Sequence, residues 1–169
     1  MVIHIRTILD TEEDIFRDIE IQDSSTFEEF HFAILDSFGW DANQMAAFYE
    51  SNEDWDKGDE IPLMDVTEEF GPEKRKTMSE VNLKDVILKP GQKLIYVFDF
   101  MLMWCFYIDV VSIIDEQENI AYPRLLLSFG DAPSQTEKEK DLDFSEKKSE
   151  EDEDEEDDSE FNFDDLISY

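Results

Sequence analysis

From Leu94 to Ile114 the chain reads LIYVFDFMLMWCFYIDVVSII, its most apolar region. Asp99 and Asp109 interrupt it, and its β-branched and aromatic residues suit strands better than a membrane-spanning helix. The alternation predicts a strand over Lys93–Phe100. Leu94, Tyr96 and Phe98 share one face and Ile95 and Val97 the other, so both faces are apolar, as a strand in the middle of a sheet requires. Met103–Ile114 is expected as a second strand closing a hairpin. Its turn, Met101-Leu102-Met103, carries bulky apolar side chains where hairpins ordinarily use Gly or Asn. Such a tip is either folded back under another segment or buried against a partner, which makes Met101 and Leu102 candidate partner-binding residues.

Upstream, Val2–Leu9 alternates with period two, setting Ile3 and Ile5 against His4 and Arg6. After the polar turn Asp10–Asp14, Ile15, Ile19 and Ile21 line up with Asp18 and Glu20 expected outside, so the two runs read as a hairpin. Ser24-Ser25-Thr26-Phe27-Glu28-Glu29 has the chemistry of a capping box. Phe27, Phe30, Ile34 and Phe38 then fall on one helical face, and Gly39 stands where a left-handed C-terminal cap would. Met45–Glu50 is expected as a short strand, Ser51–Arg75 as loop or irregular hairpin, Val81–Leu88 as a short helical turn, and Tyr122–Pro133 as the segment closing the domain.

Strand, strand, helix, strand, helical turn, strand is the order of a β-grasp, or ubiquitin-like, arrangement. The expected fold class is therefore α+β, with a mixed or antiparallel sheet and one main packing helix, over residues 1–134. Residues 135–169 are expected to be a disordered acidic tail, because the segment carries too little apolar surface to offset the entropy of ordering it. The tail ends in Phe161-Asn162-Phe163-Asp164-Asp165-Leu166-Ile167-Ser168-Tyr169. An acid block serving solubility alone has no need of Phe161, Phe163, Leu166, Ile167 and Tyr169, whereas a short motif that folds into a groove would use them as anchors.

The formal net charge of -32 opposes direct nucleic-acid binding and anionic membrane surfaces, since phosphate contacts need Lys and Arg. The basic cluster Lys74-Arg75-Lys76 reads as a solvated loop. Cys105 is the sole cysteine, so no internal disulfide can form, and the N-terminus lacks a secretory pattern; the expected location is the cytoplasm.

Three motifs, Phe38-Gly39-Trp40-Asp41 with Phe48, Tyr96-Val97-Phe98-Asp99-Phe100 with Trp104, and Tyr122-Pro123-Arg124, resemble the plasmid pRiA4b Orf-3-like family. That family is also labelled as insertion-element passenger proteins of the TnpR type, and the tail-bearing form here is similar to versions common in Bacteroidetes. The resemblance covers roughly Val2–Pro133. Many relatives place histidines where this chain has Gln44 and Ala46, and a Gly-Asp-Gly turn where it reads Met101-Leu102-Met103. The resemblance brings no assigned chemistry.

No zinc-binding pattern, phosphate loop or nucleophile elbow is present, and His4 and His31 have no second ligand at metal spacing, so neither cofactor nor metal is expected. Cys105 reads as a buried small hydrophobe, and the loop Glu53-Asp54-Trp55-Asp56 lacks the glycine and terminal Glu of an EF-hand. The expected function is a non-catalytic protein-interaction module whose acidic tail and aromatic tip engage a basic or grooved protein, its oligomeric state open. The alternatives are an acidic nucleic-acid mimic occupying a DNA- or RNA-binding protein, with a link to a mobile element hinted at by the family label, and, last, an enzyme built around Trp40, Asp99 and Trp104.

Overall fold

The structure, a computed structural model, describes residues 1–66 and 75–142. The chain divides into two units, Met1–Ala132 and Pro133–Tyr169. The second is described as far as Leu142, and tight backbone turns run through it from Ser134 to Asp141. Residues 143–169, where most of the expected tail and all of its terminal motif fall, lie outside those described.

The first unit consists of β1 (Val2–Leu9), β2 (Phe16–Gln22), α1 (Phe27–Phe38), β3 (Ala46–Ser51), β4 (Lys57–Pro62), α2 (Leu83–Val86), β5 (Lys93–Phe98), β6 (Trp104–Ile114) and β7 (Arg124–Phe129). The strands form one sheet in the order β4-β3-β5-β6-β1-β2-β7. Every neighbouring pair is antiparallel.

This corrects the expected α+β, β-grasp-like fold. A β-grasp sheet pairs its first and last strands in parallel, whereas here β1 sits between β6 and β2 and is antiparallel to both. Of the described residues 39% are strand and 15% helix, a seven-stranded antiparallel sheet with short helices rather than a fold organised by one main packing helix. The misreading has a physical source at the two edges of the sheet. β4, with Lys57, Gly58, Asp59 and Glu60, has the composition of a loop, and β7, with three consecutive leucines, lacks the alternation of a strand. Without those two edges the remaining order imitates a β-grasp.

The central hairpin is where the sequence places it. β5 lies between β3 and β6, and Ile95, Tyr96, Val97 and Phe98 are all buried. α1 opens on the expected capping box, with Thr26 Oγ1 accepting from the Glu29 N–H and the Glu29 carboxylate accepting from the Thr26 N–H. It closes on Gly39 at φ 69°. Its buried face meets the sheet ring against ring: Phe30 stacks on Phe48 at 5.3 Å, and Phe38 meets Phe106 edge-on at 5.0 Å. Burying an aromatic side chain of this kind contributes roughly 1.5–3 kcal/mol.

The other face of β1 and β2 departs from expectation. Asp18 and Glu20, expected outside, are 4% and 6% exposed. Strand register explains it. Arg6 faces Asp18 across the β1–β2 ladder and Arg124 faces Glu20 across β2–β7, so each carboxylate is covered by the guanidinium opposite it.

Candidate functional site

The tip of the β5–β6 hairpin is built around Asp99. Its backbone is left-handed, at φ 64°, and Met103 is likewise at φ 54°. The Asp99 N–H donates to the Met45 carbonyl at 2.8 Å, tying the tip to the start of β3. The Asp99 carboxylate accepts the N–H groups of Met101 and Leu102 at 3.0 and 3.1 Å, the local bonding that lets Asp hold a turn otherwise given to Gly or Asn. The Met103 N–H returns to the Asp99 carbonyl at 2.6 Å.

This geometry separates the candidate residues of the turn. Leu102 is 8% exposed and belongs to the core, so it is folded back. Met101 is 79% exposed, with Phe100 and Met103 half-exposed beside it. Three large apolar side chains therefore stand outward on a turn fixed by hydrogen bonds.

The motif residues meet beneath this tip. Trp40 lies 4.9 Å from Trp104, 5.8 Å from Phe106 and 6.0 Å from Phe98, and Phe38 packs on Trp40 at 5.6 Å. Phe48, fully buried, joins the cluster through Tyr96 at 4.7 Å. Gly39 turns the chain so that Trp40 follows Phe38 into the core, and Asp41 stays exposed. Tyr122, Pro123 and Arg124 stand elsewhere, leading into β7, where Arg124 donates to Glu20 at 2.7 Å. Trp40 and Trp104 are 6% and 2% exposed, and the Asp99 carboxylate is engaged by the turn. Packing and turn formation account for the placement of these three residues.

His31 faces Tyr96 in the core, its Nδ1 sharing a 2.5 Å hydrogen bond with Tyr96 Oη. Burial lowers the imidazole to about 4 and drives the phenol well above its ordinary value, so both are neutral at pH 7. On the far face, Arg6 donates to both oxygens of Asp18 at 2.8 and 2.9 Å, and His4 Nε2 lies 3.2 Å from the same carboxylate. Burial pushes Asp18 upward, but the hydrogen bonds from Arg6, with His4 close by, outweigh it and the net shift is downward. None of these charged partners stood out in the sequence, although the β1–β2 register, once drawn, sets Arg6 opposite Asp18.

A cavity of about 730 Å³ opens beside β4, lined among others by Tyr49, Lys57, Glu60, Arg75 and Asp85. Arg75, from the basic cluster, turns toward Glu60 there at 3.5 Å, and the mixed signs favour no single ligand charge. In the acidic loop, Asn52 Oδ1 accepts from the Asp54 and Asp56 N–H groups, and the turn sets Trp55 against Tyr107 at 4.9 Å. Cys105 is half-buried rather than buried. Among the described residues no group of three or more His, Cys, Asp or Glu could hold a metal ion, and no helix is long and apolar enough to cross a membrane.

A family model described as plasmid pRiA4b ORF-3-like protein matches residues 1–162. The chain belongs to that family. This pRiA4b ORF-3-like chain is also similar to a crystal structure of a protein of unknown function from Methanosarcina mazei Go1. The two are 20% identical, the match covers 79% of this chain and 72% of that one, and the TM-score is 0.67. At that identity the likeness carries the fold alone. No curated protein matches this pRiA4b ORF-3-like chain, and neither the family nor the structural neighbour carries an assigned function.

Proposed function

We propose that this chain is a non-catalytic, cytoplasmic protein-interaction module that docks a partner at the β5–β6 tip. The observation that carries the reading is Met101, 79% exposed on a turn held by the Asp99 carboxylate. A frayed apolar turn would lose side-chain and backbone freedom on binding. This one is already ordered, so an apolar groove on a partner could receive Met101 with little further entropic cost.

The acidic segment and its terminal Phe161, Phe163, Leu166, Ile167 and Tyr169 supply a second element in this proposal. It would be steered toward a basic surface by the chain's net charge of -32, and the steering would weaken as salt rises. The test is affinity capture with the full chain, with Met101→Asp and with a chain lacking residues 135–169. A partner held by the tip is lost with Met101→Asp; one held by the tail is lost with the deletion. An unchanged partner set in both would sink the proposal. Displacement of the captured partner by DNA would instead favour the nucleic-acid mimic, the reading to which the acidic charge alone also lends support.

A further inference from the structure

We propose that β7 takes an extended segment of a partner protein, apolar in alternation and basic at both ends, as an added strand of the sheet. The proposal rests on the interaction-module reading but uses a different surface from the Met101 tip. β7 ends the sheet, and among the described residues no strand lies on its outer side. Along it Leu125, Leu126, Leu127 and Phe129 are 48, 41, 45 and 51% exposed. Proteins ordinarily protect an edge with Lys, Pro or inward charge. β7 has no Lys or Pro, and its one charge, Arg124, is taken up by Glu20 at 2.7 Å.

The surroundings select the occupant by charge. At the Phe129 end, a Cβ placed on Gly130 would lie 2.6 Å from the Asp14 carbonyl, so the exposed acids Glu13 and Asp14 of the β1–β2 turn adjoin the strand end together with Asp131. At the Arg124 end, Glu116 accepts from Gln22 Nε2 at 2.6 Å, and Gln22 lies two residues beyond Glu20, the partner of Arg124. Arg17, which donates to the Phe129 carbonyl at 2.9 Å, and Arg124, bonded to Glu20, are already hydrogen-bonded within the chain, so the exposed acids beside the apolar strip are complementary to an apolar strand with basic ends, whose main chain would provide affinity and whose alternate side chains would meet Leu127 and Phe129.

A second copy fits poorly. Two-fold antiparallel pairing would set the acidic end of each β7 against the acidic end of the other.

The experiment titrates the full chain with a synthetic peptide of alternating valine and threonine flanked by lysine pairs, and with its glutamate-flanked twin, while following backbone amides by NMR and hydrogen exchange. The lysine-flanked peptide is expected to shift and slow the β7 amides at low salt, with affinity lost as salt rises, and the glutamate-flanked twin to do neither. The double variant E13K/E116K, altered only at exposed sites, should reverse that preference. Leu127→Lys should abolish binding, and Met101→Asp should leave it unchanged, so failure here and failure of the tip reading are told apart. Equal binding of both peptides, or β7 amides that do not respond, would overturn the proposal. So would β7 protection that grows with protein concentration alone, assigning the edge to a second copy. Protection already present in the full chain and lost when it is cut after Leu142 would overturn it too, assigning the edge to the chain's own C-terminal part.

Discussion

Asp99 holds a left-handed backbone and two turn N–H groups at once, so its side chain and its conformation can be tested separately. Asp99→Ala removes the acceptor and keeps the strain of positive φ. It should cost about 1–3 kcal/mol in urea unfolding, while Asp99→Asn, which retains an acceptor and tolerates that conformation, should cost well under half as much. Equal losses would show that the turn does not depend on the carboxylate. His31 gives a pH prediction. Burial lowers its folded value from 6.5 to about 4, so as pH falls below 6.5 the unfolded chain takes the proton first. Stability should therefore decline between pH 6.5 and 4, by on the order of 3 kcal/mol, and this contribution should level off below 4. Asp18, lowered by Arg6 and His4, loses its contribution only at lower pH, as its folded carboxylate takes up a proton. His31→Gln should flatten the slope between pH 6.5 and 4 in pH-dependent denaturation, and a slope unchanged by the substitution would count against this assignment. The candidate residues were unevenly legible. Met101 drew notice as a candidate because Met is foreign to a hairpin tip, while Arg6 and Asp18 became a pair only once the strands were placed in register.

At the scale of elements, legibility followed periodicity. α1 declared itself through its capping box, its aromatic stripe and Gly39, and β5 through apolar residues on both faces. β4 and β7 did not, because an edge strand needs to satisfy one neighbour only and can have the composition of a loop or an unbroken apolar run. Nor could composition show that β7 returns beside β2 rather than ending beyond the sheet. Gly130 terminates β7 at φ 77°, with no room for a Cβ against the Asp14 carbonyl 2.6 Å away. Gly130→Ala should therefore cost about 1–3 kcal/mol, since that close approach is to backbone and the conformation disfavours any side chain. Hydrogen exchange should locate the damage, with faster exchange in β7 and the β1–β2 turn and unchanged protection in β5. Uniform loss of protection would mean instead that the edge and the centre unfold as one unit.

For the whole molecule the governing quantity is a net charge of -32 on 169 residues, and it decides how salt acts. Two effects oppose each other. Ions screen the attraction within the pairs Arg6–Asp18, Lys93–Asp109 and Arg124–Glu20, which weakens the fold; they also screen repulsion among the acids, which strengthens it. Among the described residues the pairs are few, and Arg6, Arg124 and Asp109 each remain about a third exposed, where such bridges contribute roughly 0–1 kcal/mol. Repulsion involves every unpaired acid, and folding brings those of the first unit closer together than they are in the unfolded chain. The melting temperature at pH 7 should therefore rise with sodium chloride from low ionic strength to physiological levels, by several degrees for each kcal/mol recovered in a domain of this size. The same rise should shrink when exposed acids are exchanged for neutral residues, for example with Glu12→Gln, Glu13→Gln and Glu118→Gln combined. A melting temperature that falls with salt would show that the paired far face, and not self-repulsion, dominates the electrostatics of this fold.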